Sequence, residues 1–418
     1  MAIPRPAHSP VPAAAAAQGL GHTVDGQSLP LLRRRLLPLH FATSMRWGWF
    51  APLLVTFFVG LYTFIGITNP HEITFDETYY AKDAYSLLVK HYAMTFVDNP
   101  NTPKVNEANA IINSGSTKGI FGDEPNMVVH PEVGKWMIAF GEWIFGLTPF
   151  GWRFSAAVTG TLMVLVMCRL MRRLTGSTML GCVAGLLLGF DGLHFVMSRF
   201  ALLDIFLAFW LLCATHCLVA DRDWGRLKIA TRFETSPGRG RVALGPVRGL
   251  LLRPWRILAG VCFGLACGTK WSAVFVLAGM SVLMWAWDSG MRRSVGVRLA
   301  PVKSLVVDEV PAFFSLIMVA FVVYVLTWMG FLTHATIFEH WFGSAASNNG
   351  HAWSSVNDFG GHPHGFFETA LHNLDILWNY HRAVYAFHTG GKAKFFQSRA
   401  VDHGKMAVVM LYPDRMFN

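Results

Sequence analysis

Glu132-Val133-Gly134-Lys135-Trp136-Met137-Ile138-Ala139-Phe140-Gly141-Glu142-Trp143-Ile144-Phe145-Gly146-Leu147 is apolar enough to pass for a membrane span, and whether it crosses decides the side on which every later loop lies. The next apolar run, 150–170, leads into Arg169, Arg172 and Arg173. If 132–147 crossed, those arginines would fall on the outer side, against the bias of Lys and Arg toward the cytoplasm. If it lies flat, they fall inside. The stretch is also shorter than the ~20 residues a span needs, and it carries Lys135 and Glu142. The expectation is an interfacial helix.

Outward from it the chain reads as a polytopic membrane protein. Of its 418 residues, 53% are hydrophobic and only 14% charged, and the apolar residues come in long blocks. Expected spans are 47–67, 150–170, 179–197, 201–220, 256–270, 272–287 and 310–331, about seven in all. The net charge of +10 sits in clusters between these blocks, notably 222–253 and 292–303. That pattern marks cytoplasmic loops and points away from nucleic acid as a partner. Residues 1–45, rich in Ala, Pro and Arg, read as a disordered cytoplasmic tail without a cleaved signal peptide. The six cysteines all fall in apolar runs and read as packing residues. After residue 331 the chain turns polar and histidine-rich. His362 and His364 alone are too weak a spacing for a metal site, and no metal is expected.

The long first loop is acidic, with Glu72, Asp76, Glu77, Asp83, Asp98, Glu107, Asp123 and Glu124, and is placed outside. At its start stands Thr74-Phe75-Asp76-Glu77-Thr78-Tyr79-Tyr80. The bland reading is a helix start: Thr74 and Glu77 have capping-box spacing, and Asp76 can cap a helix running toward Lys90. The other reading rests on company. His130 and Lys135 precede the interfacial helix, and Arg153 opens the next span. Arg199 and Asp204 flank a tight turn, and Lys270 lies in Gly268-Thr269-Lys270-Trp271. By this topology all face the side of Asp76 and Glu77. Snorkelling explains any one of them; it explains poorly why carboxylates and cations gather on a single side. Arg and Lys suit a phosphate, and a carboxylate suits proton removal from a hydroxyl, which together fit sugar transfer from a lipid phosphate.

Phe75-Asp76-Glu77, His130-Pro131 with Gly134-Lys135, Ser198-Arg199 with Leu202-Leu203-Asp204, Gly268-Thr269-Lys270-Trp271, and Tyr380-His381 with Phe387-His388 occur in order. In this the chain, over about 45–390, resembles the protein O-mannosyltransferases, in particular the actinobacterial branch that uses polyprenol phosphate mannose. The resemblance implies an all-α polytopic GT-C fold with the acidic pair in its first outer loop. It implies inverting transfer of mannose from a polyprenyl phosphate lipid donor to Ser or Thr of secreted proteins, at the translocon among other places, with no cofactor. It places the protein in the plasma membrane, its active site on the extracytoplasmic side. It implies Asp76 as base and Glu77 as its neighbour at the acceptor. Arg153, with Lys135 and Lys270, would hold the donor phosphate, and His130, Arg199, Asp204, His381 and His388 would support the site. Residues 46–331 would form the catalytic membrane domain and 332–390 an outer loop. Glu132 replaces the family's usual second proline. Family members continue into further spans where this chain has an atypical segment, 391–418, so a truncated product is expected. Two alternatives stand beside this reading: a transferase acting on a lipid or wall glycan, such as aminoarabinose transfer to lipid A, and a non-catalytic partner subunit. A transporter would show inverted repeats and mid-span charges, and the sequence has neither.

Overall fold

The computed structural model describes residues 23–24, 27–28, 46–97, 107–235, 253–344, 347, 352–358 and 365–388. The expected tail 1–45, apart from β1 (Thr23–Val24) paired with β2 (Gln27–Ser28), lies outside the described residues, as do 391–418, most of the first basic loop, and His351, His362, His364 and His403.

The chain is helical. Its described elements after β2 are α1 (Trp47–Phe64), α2 (Glu77–Lys90), β3 (Met94–Phe96), α3 (Glu107–Asn113), β4 (Phe121–Pro125), α4 (Val133–Phe145), α5 (Pro149–Thr175), α6 (Thr178–Gly189), α7 (Gly192–Met197) and α8 (Leu203–Thr235). They continue with α9 (Pro254–Cys267), α10 (Ala273–Ser294), α11 (Ala300–Leu326), α12 (Met329–Thr333), α13 (Ala335–Phe342), α14 (Ser354–Asp358) and α15 (Phe366–His388). Five of them, α1, α5, α8, α10 and α11, are long and apolar enough to cross a membrane; α6 and α9 are shorter apolar helices. This is a multi-pass membrane protein. The 13 residues of α4 form a separate helix, shorter than the ~20 residues a span needs.

Local chemistry sets the boundaries. Thr148 Oγ1 accepts the Gly151 N–H at 3.1 Å and Pro149 occupies the first turn, so α5 starts there. Gly176, with φ 73°, ends it in the left-handed conformation, behind Arg172 and Arg173. The expected span 179–197 is corrected: it breaks after Gly189, and Asp191 restarts the chain as α7 by accepting the His194 N–H at 2.8 Å. The span expected to end at 220 runs on to Thr235, so the first turns of the basic loop are helix. The last span begins earlier than expected, at Ala300, and carries two π-turns, Leu305–Glu309 and Phe313–Met318. Pro311, which has no N–H to give the ladder, lies between them.

Charge is treated differently at the two ends of the bundle. Toward the far end of α8, Asp221 and Asp288 hold Arg253 and Arg256, and Asp308 holds Arg292, with all six side chains buried. Arg253 and Arg292, read from sequence as loop charges, and Arg256, read as the start of a span, are internal struts between α8, α9, α10 and α11. At the other end α2 packs on α4, and α4 on α5, around Tyr80, Ala81, Ile138 and Trp152. That packing delivers the acidic pair to the head of α5.

Candidate active site

Glu77 is fully buried and saturated with donors. Arg153 Nε reaches its Oε1 and Arg153 Nη2 its Oε2, both at 2.7 Å. The Ala201 N–H donates to Oε1 at 3.1 Å, and the Thr74 N–H and hydroxyl donate to Oε2 at 3.2 and 3.1 Å. The Thr74–Glu77 spacing read as a capping box therefore does reach back to the Thr74 N–H, within a larger network. A forked guanidinium against a carboxylate is the strong form of ion pair, and here water is excluded from it.

Arg153 is spent in the same way. Nη1 donates to the carbonyls of Ile67 and Pro70 at 3.2 and 2.7 Å, and Nη2 donates to that of Glu72 at 3.1 Å. With Nε and the second Nη2 hydrogen on Glu77, all five N–H donors are used. Arg153, expected at the donor phosphate, thus has its donors engaged within the chain. Arg153 ties the 67–74 segment and Glu77 to α5. Lys135, also expected at the donor phosphate, is engaged in a similar way. Its Nζ lies 3.0 Å from Asp83 and donates to the His130 carbonyl at 3.2 Å, with the side chain 1% exposed. It staples α4 to α2.

Asp76 is the contrasting neighbour. It is half-buried, and its side chain makes no capping bond, so the proposed Asp76 cap is absent. Phe75 before it is left-handed, φ 52°, a conformation a bulky residue rarely holds without support. The Arg153 clamp on residues 67–77 supplies that support, and Asp76 is thereby turned away from Glu77's network. Burial raises the Asp76 pKa, the nearby Lys270 charge lowers it, and Asp204 raises it. Lys270 Nζ sits 2.8 Å from both oxygens of Asp204 and keeps about a fifth of its side chain exposed. Asp76, Asp204 and Lys270 form the accessible charged group here.

The supporting residues divide between framing and lining. Arg199 donates to the carbonyls of Thr63, Ile65 and Gly66, closing the end of α1 with a cation. His130 stacks on His388 with centroids 5.6 Å apart, and burial together with Lys135, Lys270 and His388 pushes its pKa down to about 3, so it is neutral. His388 Nε2 meets the Val129 carbonyl at 3.1 Å, and the Tyr380 hydroxyl donates to that of Val128 at 2.8 Å. His381 lies against Trp271, rings 5.5 Å apart. Helix α15 therefore clasps the loop before α4. Glu132, the residue in place of a proline, is buried, accepts from Trp136 Nε1 at 3.3 Å, and is pushed by burial up to about 7.

Two residues escaped the sequence reading. Asp83 looked like one more surface acid of the loop. Tyr324 lay inside an apolar run, where its only signal was a phenol that needs a partner.

If Asp76 acts as a base, its charge environment sets the acid limb of activity. The limb falls as pH drops through a pKa raised above the ordinary Asp value. Asp204→Asn removes a raising charge and should move the limb to lower pH; Lys270→Gln removes a lowering charge and should move it up. A kcat/KM–pH profile of both variants checks the opposite signs; a limb unmoved in both would dissociate Asp76 from it.

An apolar cavity of about 650 Å³ is roofed by Trp136 and Phe140 of α4 and walled by Phe154, Phe209 and Leu326. Val133 and Thr327 line it as well, and both touch the Lys270 turn: a Cβ on Gly268 would come within 2.7 Å of each. Only glycine permits that approach.

Residues 131–232 match the family model for dolichyl-phosphate-mannose-protein mannosyltransferase. The chain is a relative of the protein mannosyltransferases. It is 35% identical over 309 residues to the polyprenol-phosphate-mannose–protein mannosyltransferase of Mycobacterium tuberculosis, covering 72% of this chain and 53% of that one. To the same-named protein of Mycolicibacterium smegmatis it is 33% identical over 349 residues, 82% of this chain and 58% of that one. The chain spans about half the length of the curated relatives it matches. Among solved structures, the Saccharomyces cerevisiae protein O-mannosyltransferase Pmt1–Pmt2 complex bound to the sugar donor aligns with a TM-score of 0.45 and 16% identity, over 72% of this chain and 36% of that one.

Proposed function

We propose that this chain transfers mannose from a polyprenyl phosphate to Ser or Thr hydroxyls of proteins, with inversion. The observation that carries the reading is the split of the acidic pair. Glu77 is locked to Arg153, while Asp76 is half-buried, uncapped and beside Lys270. The names of the mycobacterial relatives supply the sugar, the lipid class and the protein acceptor.

Asp76 takes the proton of the acceptor hydroxyl as its oxygen forms a bond to the anomeric carbon. The carbon–oxygen bond to phosphate breaks, and its electron pair leaves on the polyprenyl phosphate. Lys270 meets that charge, giving up part of its contact with Asp204. The cavity under α4 takes the first prenyl units, which its position against the Gly268–Lys270 turn supports. The reading calls for no metal or cofactor. It places the site on the extracytoplasmic face of the plasma membrane, where secreted chains emerge from the translocon.

The test is transfer of radiolabelled mannose from polyprenyl phosphate to a Ser/Thr peptide, in membranes with and without this chain. Label in the peptide that depends on the chain is expected. Label appearing only in lipid or glycan would favour the lipid-acceptor alternative, and no dependence on the chain would overturn the reading.

A further inference from the structure

The Lys270 turn is held by a hydrogen-bond chain whose direction can be assigned. His381 Nδ1 lies 2.7 Å from the Leu377 carbonyl, which only accepts, so Nδ1 carries the proton. In the neutral ring Nε2 is then an acceptor. It meets the Tyr324 hydroxyl at 2.5 Å, so Tyr324 donates. The Tyr324 oxygen accepts the Trp271 Nε1–H at 2.9 Å. Every proton in the run has one place, and Trp271 also stacks on the His381 ring, 19° from parallel. Burial lowers the His381 pKa, which keeps the ring neutral and the chain in one direction.

Trp271 is the residue after Lys270, and its indole is pinned from α11 and α15 at once. Lys270 extends from the same turn to Asp204 at 2.8 Å. A lysine has four rotatable carbons, and a fixed backbone at its root is what aims its ammonium at one place. We infer that Tyr324 and His381 are positioning residues for Lys270, fixing the turn from which it meets the donor's phosphate. This rests on the reading of Lys270 as the phosphate contact.

Binding of a mannose-free polyprenyl phosphate to the full chain in nanodiscs separates the two ideas. Lys270→Ala is expected to weaken binding about ten- to a hundredfold, and Tyr324→Phe about three- to tenfold. In Lys270→Ala the further change Tyr324→Phe should cost nothing more, since it acts only through the lysine. A merely structural role would lower affinity equally in both backgrounds and would overturn the inference. So would unchanged affinity in Tyr324→Phe while Lys270→Ala binds weakly. Unchanged affinity in Lys270→Ala removes the phosphate reading and this inference together. If Tyr324→Phe does not accumulate, the same cycle is run with His381→Ala, and His381→Gln, which keeps an acceptor, should recover part of the loss.

Discussion

Asp76→Asn should bind the donor lipid normally and lose mannose transfer by ~10²–10⁴-fold. A Ser or Thr hydroxyl is a weak nucleophile at neutral pH, and the asparagine keeps the size of the side chain without its basic oxygen. The environment of Asp76 makes the test sharp. Its carboxylate makes no capping bond with α2, so the substitution removes no helix cap. It takes no part in the Glu77–Arg153 network, so that clamp stays intact. Loss of the negative charge leaves Lys270 paired with Asp204. Donor affinity and amount of folded chain are therefore controls that should not move. Transfer at the parent rate would reduce the acidic pair to a structural element. A fall in transfer matched by an equal fall in folded protein would do the same.

Arg153→Ala should act on the fold first. Both partners of the Arg153–Glu77 pair are 0% exposed, and removing one leaves the other charged and buried without compensation, which costs ~3–5 kcal/mol. Three backbone carbonyls lose a donor as well. Thermal unfolding in detergent should show a large loss of stability, and the 67–76 segment should open to protease. Glu77→Gln should also destabilise, because one forked charge contact and several accepted hydrogen bonds are weakened together. From sequence alone it would have passed for a mild change at the acceptor. Arg153→Lys should restore little, since an ammonium cannot supply five donors in a plane. The outcome that would return Arg153 to the donor phosphate is a variant with parent stability and a selective loss of donor affinity.

Membrane class and the break of the chain into a short helix at α4 were legible in the sequence, because each rests on a one-dimensional signal. Span length and apolar blocks identify membrane helices, and the run at 132–147 is too short to be one. The Thr74–Glu77 spacing and Asp76 announced a helix running to Lys90, and α2 ends there. What the sequence could not say is which charge faces which. Arg153, Lys135 and Lys270 are three cations that the sequence reading puts on one side, and their spacing along the chain is silent about partners. Only packing decided that Arg153 turns inward to Glu77, that Lys135 turns to Asp83, and that Lys270 stays accessible beside Asp76. The same holds for Arg253 and Arg292, whose loop-like sequence hid an internal ion cluster shared with Arg256, and for Tyr324, whose partner lies on a helix 57 residues away. A buried charge is tolerated only where a specific partner and its hydrogen bonds meet it, and those partners are brought together by tertiary contacts from distant parts of the chain.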